Sequence, residues 1–149
     1  MTREGDEREV AVERAVRALA RRGHSAAGLR AKLDRAGLSE QAQTDAVETL
    51  ERLGYLDDGR FAHDRAVRLA ERGYGDDWIR ADLSAHGIDA EMLEEAMSAL
   101  AAEQERASGV SSDEDVGRTA RRLARRGFSA ETIERVLARV AHGGAEGVG

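Results

Sequence analysis

Apolar residues stand four apart in three short stretches of the chain: Leu29 and Leu33, Ile79 and Leu83, Ile133 and Leu137. Four-residue spacing puts both members of a pair on one face of a helix. A similar segment precedes each pair: "RALARRG", "VRLAERG" and "RRLARRG". In each, a run of good helix formers ends in arginine and then glycine. Glycine tolerates the left-handed geometry of a helix end, and arginine complements the negative end of the dipole. The pattern predicts a first helix stopping at Gly23, Gly73 and Gly127. A second helix then begins near Ser25, Asp76 or Ser129, residues suited to N-capping, and ends at Gly37 or Gly87. A third starts at Ser39 or Asp89 and carries Val47, Leu50 and Leu53, or Leu93, Met97 and Leu100.

These segments are copies of one unit. With Gly23 placed over Gly73, an offset of 50, Leu19 falls on Leu69, Leu29 on Ile79, Leu33 on Leu83, Gly37 on Gly87 and Leu50 on Leu100, without a gap. A third copy lies 54 residues beyond the second, with Gly127 on Gly73, Phe128 on Tyr74 and Leu137 on Leu83. The expected fold is all-α: a tandem array of three small three-helix repeats, elongated and with room to curve. One unit holds too few apolar positions for secure independent stability, so stacked units would bury each other's faces. Repeat 1 is expected over 10–54, repeat 2 over 55–103 and a shortened repeat 3 over 113–142. A linker over 104–112 carries Ser108, Gly109, Ser111 and Ser112, and a glycine-rich flexible tail covers 143–149.

Composition supports helices: aromatic residues are only 3%, a thin supply for a β-sandwich or barrel. There is no cysteine, which removes disulfides, thiolate chemistry and cysteine-held metals. No apolar run approaches the ~20 residues of a membrane span, and the first residues lack the apolar core of a signal peptide. A cytoplasmic, monomeric state without a membrane partner is the expectation. Net charge is −6, which opposes strong non-specific DNA binding and leaves room for a weak direct contact through a local basic face.

The join between the first two copies reads "LERLGYLDDGRFAHDRAVRLAERGYG". Gly54 ends a helix, Tyr55 and Leu56 pin the turn, Asp57 or Asp58 caps the next helix, and Phe61 enters the core. "GYLDD", then "RFA", "RGYG" followed by Trp78, Ile79 and Arg80, and "ARRGFS" in the third copy form an ordered set that resembles the RecX family. The resemblance covers about residues 12–141. It departs from the pattern at His24, where the other copies carry Tyr74 and Phe128. It implies a regulator in DNA repair and the SOS response that binds the filament of the RecA recombinase on DNA. Such a regulator would lower the recombinase's ATPase and strand exchange.

Signatures of catalysis are absent from the sequence. There is no phosphate-binding glycine loop, no metalloprotease HExxH and no nucleophile elbow. His24, His63, His86 and His142 are scattered. No catalytic residue, metal or cofactor is expected. Partner contact is assigned to arginines: Arg21 and Arg22, Arg60, Arg72, and Arg118, Arg121, Arg122, Arg125 and Arg126 in the third copy. Trp78 joins them, because Gly28 and Thr132 occupy its place in the other copies and a core position would not accept all three. The third helices are acidic instead, with Glu40, Asp45, Glu48 and Glu51 in one copy and Asp89, Glu91, Glu94 and Glu95 in the next. Two other readings stay open: a tri-helical DNA-binding module, and a helical-repeat scaffold for an unrelated protein.

Overall fold

The computed structural model of the protein describes residues 3–108 and 116–146, all of them in helices and the turns between them. In chain order the helices are α1 (Arg3–Arg21), α2 (Ala26–Arg35), α3 (Glu40–Arg52), α4 (Asp58–Glu71), α5 (Asp76–Ala85), α6 (Ala90–Ser98), α7 (Glu103–Ser108), α8 (Val116–Arg125) and α9 (Ala130–Glu146). Their buried side chains form three separate clusters, one per unit. Ala11, Ala15, Leu29, Leu33, Ala46 and Leu50 belong to the first. Ala62, Ala66, Leu69, Ile79 and Leu83 belong to the second, and Ala107, Leu123, Phe128 and Val136 make the third. The first helix of units one and two meets the core through alanines, which lets the other helices approach closely.

One device closes most of the helices. At Gly73, φ is +88°. Its amide donates to the Ala70 carbonyl and the Tyr74 amide to that of Leu69. This paired turn needs a left-handed residue at its centre, which glycine adopts without strain. Gly127 repeats it at +83°, with Phe128 reaching back to Leu123. Helices α2, α3 and α5 end in the same way, with Leu38, Tyr55 and Ile88 bonded to Leu33, Leu50 and Leu83. A leucine four residues before the glycine and an apolar residue just after it therefore mark each such stop. α1 departs from this. It ends at Arg21, Gly23 is not left-handed, and the residue after it is His24.

Several sequence expectations need correction. α1 begins at Arg3, well before residue 10. The stretch from 104, read as a linker, opens as helix α7, and its Ala107 is fully buried in the third cluster. A single small residue in a polar run carried too little apolar signal to mark a core position. The third unit thus takes in a helix from its upstream side. Gly143 and Gly144, placed in a flexible tail, lie within α9. Residues 109–112 of the linker, the acidic 113–115 and the tail residues 147–149 lie outside the described residues.

Over 130–139 of α9 the buried positions are Thr132 and Val136, while Ile133 and Leu137 are half-buried. α7 packs against this helix, and the Thr132 hydroxyl bonds Glu103 there. Leu53, expected among the core leucines, is 59% exposed at the end of α3. Tyr55 is 66% exposed beside Val16, Leu19 and Ala20, so only Leu56 pins that turn from within. Phe61 packs against the second core and faces the His86 ring at 5.5 Å.

Candidate partner-binding surfaces

The two joints between units are built from helix ends. At the first, Ser25 caps α2 by accepting from the Gly28 amide at 3.1 Å and donates its hydroxyl to the His86 carbonyl at 2.7 Å. The Ala26 amide donates to Asp58 Oδ1 at 2.7 Å. Asp57, not Asp58, caps α4, accepting from the Arg60 amide. The neighbouring carboxylates therefore serve two helices: Asp57 its own, and Asp58 the start of α2 in the preceding unit. A carboxylate at each free helix start matches both the orphan amides and the positive end of the dipole.

At the second joint, the Gly75 amide donates to the Arg126 carbonyl at 2.6 Å and the Asp77 amide to that of Gly127 at 3.1 Å. α5 has no side-chain cap of its own; Gly75, not Asp76, occupies that position. A Cβ there would sit 2.4 Å from the Phe128 nitrogen, so no capping serine or aspartate fits. Glu103 of α7 supplies the missing acceptor. It takes the Asp76 amide at 3.0 Å, the Ser129 amide at 3.2 Å, the Ser129 hydroxyl at 2.9 Å and the Thr132 hydroxyl at 2.5 Å. One carboxylate thus caps α5 and α9 together. Burial pushes its acidity toward the neutral form, but the bonds from Thr132, Asp76 and Ser129 outweigh this and hold its pKa below the usual glutamate value. Asp76 moves the other way, its pKa raised by burial despite its ion pair with Arg106.

The joints fix where the arginines lie. Arg118, Arg121, Arg122, Arg125 and Arg126 line one concavity on α8. Arg126 also reaches the Arg72 carbonyl across the second joint at 3.4 Å, which brings Arg72 beside this face. Arg21 and Arg22 diverge: Arg21 lines a groove between α1 and α2, whereas Arg22 faces the first joint. Arg60 is exposed and turns back to the Gly54 carbonyl at 3.3 Å. Trp78 is half-buried, stacked on Tyr74 with ring centres 4.1 Å apart, and its Cβ stands where a side chain on Gly127 would have to go. Partial exposure and packing against the neighbouring unit both hold for it.

A second basic surface was not foreseen as a unit. Arg22, Lys32, Arg35, Arg65 and Arg68 line a groove at the first joint, together with His24, Phe61 and His86. Arg65 is spent on Asp82, which it grips through both Nε and Nη2, tying α4 to α5. His24 Nε2 is buried without a hydrogen-bond partner. Burial lowers its pKa, and Arg22 and Lys32 lower it further, so the imidazole is held toward its neutral form. The sequence signal for this groove was weak, because Arg65 and Arg68 sit on α4 and Lys32 and Arg35 on α2. Among the described residues, no group of three or more His, Asp or Glu side chains is arranged to hold a metal, and no helix is long and apolar enough to cross a membrane.

Residues 57–97 match the second three-helix domain of RecX. Over 135 residues the chain is 36% identical to a regulatory protein RecX of Stenotrophomonas maltophilia, covering 83% of each chain. A RecX of Xanthomonas campestris pv. campestris is 41% identical over 87 residues, covering 58% of this chain and 54% of the relative. In three dimensions it superposes on the crystal structure of RecX from Lactobacillus salivarius with a TM-score of 0.80 at 17% identity, covering 92% of this chain and 98% of that one.

Proposed function

Because the chain belongs to the RecX family of regulatory proteins, we propose that it binds the filament formed by the RecA recombinase on DNA and lowers its ATP hydrolysis and strand exchange. Family membership is the observation that carries this reading. The relatives are named regulatory proteins, and the proposal gives this chain a regulatory role with no reaction of its own, exercised as a monomer in the cytoplasm. The architecture supports it. Three units are tied in series by bonds between helix ends. A body connected in this way transmits force between points of contact on successive protomers and opposes their relative motion. The surface arginines are the contact groups: Arg118, Arg121 and Arg125 exposed and Arg122 and Arg126 half-buried, with the adjacent Arg72, on one face, and Arg21, Arg22 and Arg60 on the first two units. Their planar forks suit acidic side chains and phosphates alike. Trp78, half-buried against Gly127 at the second joint, joins them as a contact residue.

The test is to add the purified chain to the recombinase on single-stranded DNA with ATP. The reading expects hydrolysis and strand exchange both to fall as the chain saturates the filament. Rates unchanged at saturation contradict it.

A further inference from the structure

The groove at the first joint holds charge that the protein itself does not neutralise. Arg65 is paired with Asp82, but Arg22, Lys32, Arg35 and Arg68 make no ion pair among the described residues, and all four are exposed. Their convergence is costly in mutual repulsion unless an anion is drawn in, and it occurs on a chain whose net charge is −6. No carboxylate lines the groove, and Asp82 at its margin is engaged by Arg65. Gly28 and Ala31 leave one wall without bulky side chains, and the paired rings of Phe61 and His86 lie at the groove itself. Its volume is about 440 Å³, of the order that holds one small ligand rather than a duplex.

We propose that this groove holds a single strand of nucleic acid, with successive phosphates on the rim cations and a base laid against Phe61 and His86. Cations tracking a backbone beside an aromatic surface are the two parts of a sequence-tolerant single-strand site. An acidic peptide would use the cations and leave the rings unused, which is why the strand is favoured. Binding is modest and salt-sensitive, because the protein's overall charge opposes it. The assignment stands apart from the filament reading, since it requires no recombinase.

The experiment is fluorescence anisotropy of labelled oligothymidylate with the full chain, in the absence of recombinase. Binding is expected at low salt, with log Kd rising against log salt at a slope of about 2 to 3, the value for three or four contacted phosphates on a single strand. Charge reversal by Arg35→Glu with Arg68→Glu should weaken binding at least tenfold and reduce that slope by roughly 1.4. The milder Arg35→Gln with Arg68→Gln should shift both in the same direction, with an unchanged helical circular dichroism spectrum. Phe61→Leu should weaken binding several-fold at an unchanged slope, because stacking is lost and charge is kept. Arg135→Glu, in the third unit and away from both basic surfaces, should leave binding intact. The assignment is overturned by no binding at low salt, by groove variants that bind like the parent, by loss confined to the third-unit variant, or by polyglutamate displacing the strand more effectively than unlabelled oligothymidylate does.

Discussion

Gly75 and Gly127 stand backbone to backbone across the second joint: a Cβ on Gly75 would lie 2.5 Å from the Gly127 carbonyl carbon and 2.6 Å from its oxygen. Two steric demands meet there. Gly127 must be left-handed to end α8, and Gly75 must have no side chain so that α5 can start against it. Alanine substitutions separate these demands. Gly37→Ala, left-handed with open space around it, should cost about 1 kcal/mol. Gly127→Ala adds a collision with Trp78 at 2.4 Å and should cost more, with a change in Trp78 fluorescence as the joint opens. Gly75→Ala has no backbone strain and should still disturb Trp78. Thermal melts and tryptophan emission of the three variants check this order. Equal losses in all three would mean the joint is not close-packed.

Asp57 and Asp58 should behave differently although they are adjacent. Asp57→Ala removes the cap of α4 and should cost about 1 kcal/mol, with faster amide exchange at the start of α4. Asp58→Ala leaves the Ala26 amide without its acceptor. The exchange increase should then appear in α2, in a different unit. Hydrogen exchange resolved by residue distinguishes them, and identical protection maps would refute the assignment.

Much of this organisation is legible in the sequence. Ser25, Ser39 and Asp89 cap the helices they were expected to cap, because capping acts over three residues and leaves a local trace. The pairs Leu29 with Leu33 and Ile79 with Leu83 are buried for the same kind of reason. What escapes is whatever depends on another unit. α5 has a glycine at its cap because α8 ends against it, and its acceptor comes from Glu103, 27 residues on. Asp58 is drawn away from its own helix. Tyr55 is exposed although Ile88 and Phe128, which also follow a left-handed glycine, are buried, and no local pattern tells these cases apart. The basic groove needs helices far apart in sequence, so arginine spacing along one helix marked the α8 face, and of the groove's cations only Arg22 was singled out.

Glu103 should make the second joint sensitive to acid. Its pKa is lower in the folded chain than in the unfolded one, so folding is favoured above the ordinary glutamate value and that contribution is lost as pH falls through the folded value. Asp76 opposes this: its raised pKa costs stability above the folded value and returns it as pH falls. Glu103→Gln should destabilise the chain at neutral pH by about 1 kcal/mol and flatten its acid limb below about pH 4.5. Parallel acid limbs for the variant and the parent would show that the carboxylate is not the shared cap.

His24 occupies the place taken by Tyr74 and Phe128 in the other units, with Nε2 buried and unpartnered. Its lowered pKa means that the unfolded chain takes up the proton first as pH falls below about 6.5. Stability should therefore decline below that pH until the folded value is passed. His24→Phe removes both the orphaned nitrogen and this dependence. It should raise stability by about 1 kcal/mol and level the profile between roughly pH 5 and 7. A variant less stable than the parent throughout that range would show that the imidazole's bond to the Ala18 backbone outweighs the orphaned nitrogen.

The central claim is that this chain engages a recombinase filament through its arginine faces. The most direct measurement is co-sedimentation with RecA assembled on single-stranded DNA, run beside the same DNA alone and beside the Arg121→Glu, Arg125→Glu variant. The chain should pellet with the filament in fixed proportion to the recombinase, well above its recovery with bare DNA, and the variant should remain largely in the supernatant. Recovery no greater with filament than with bare DNA would contradict the claim.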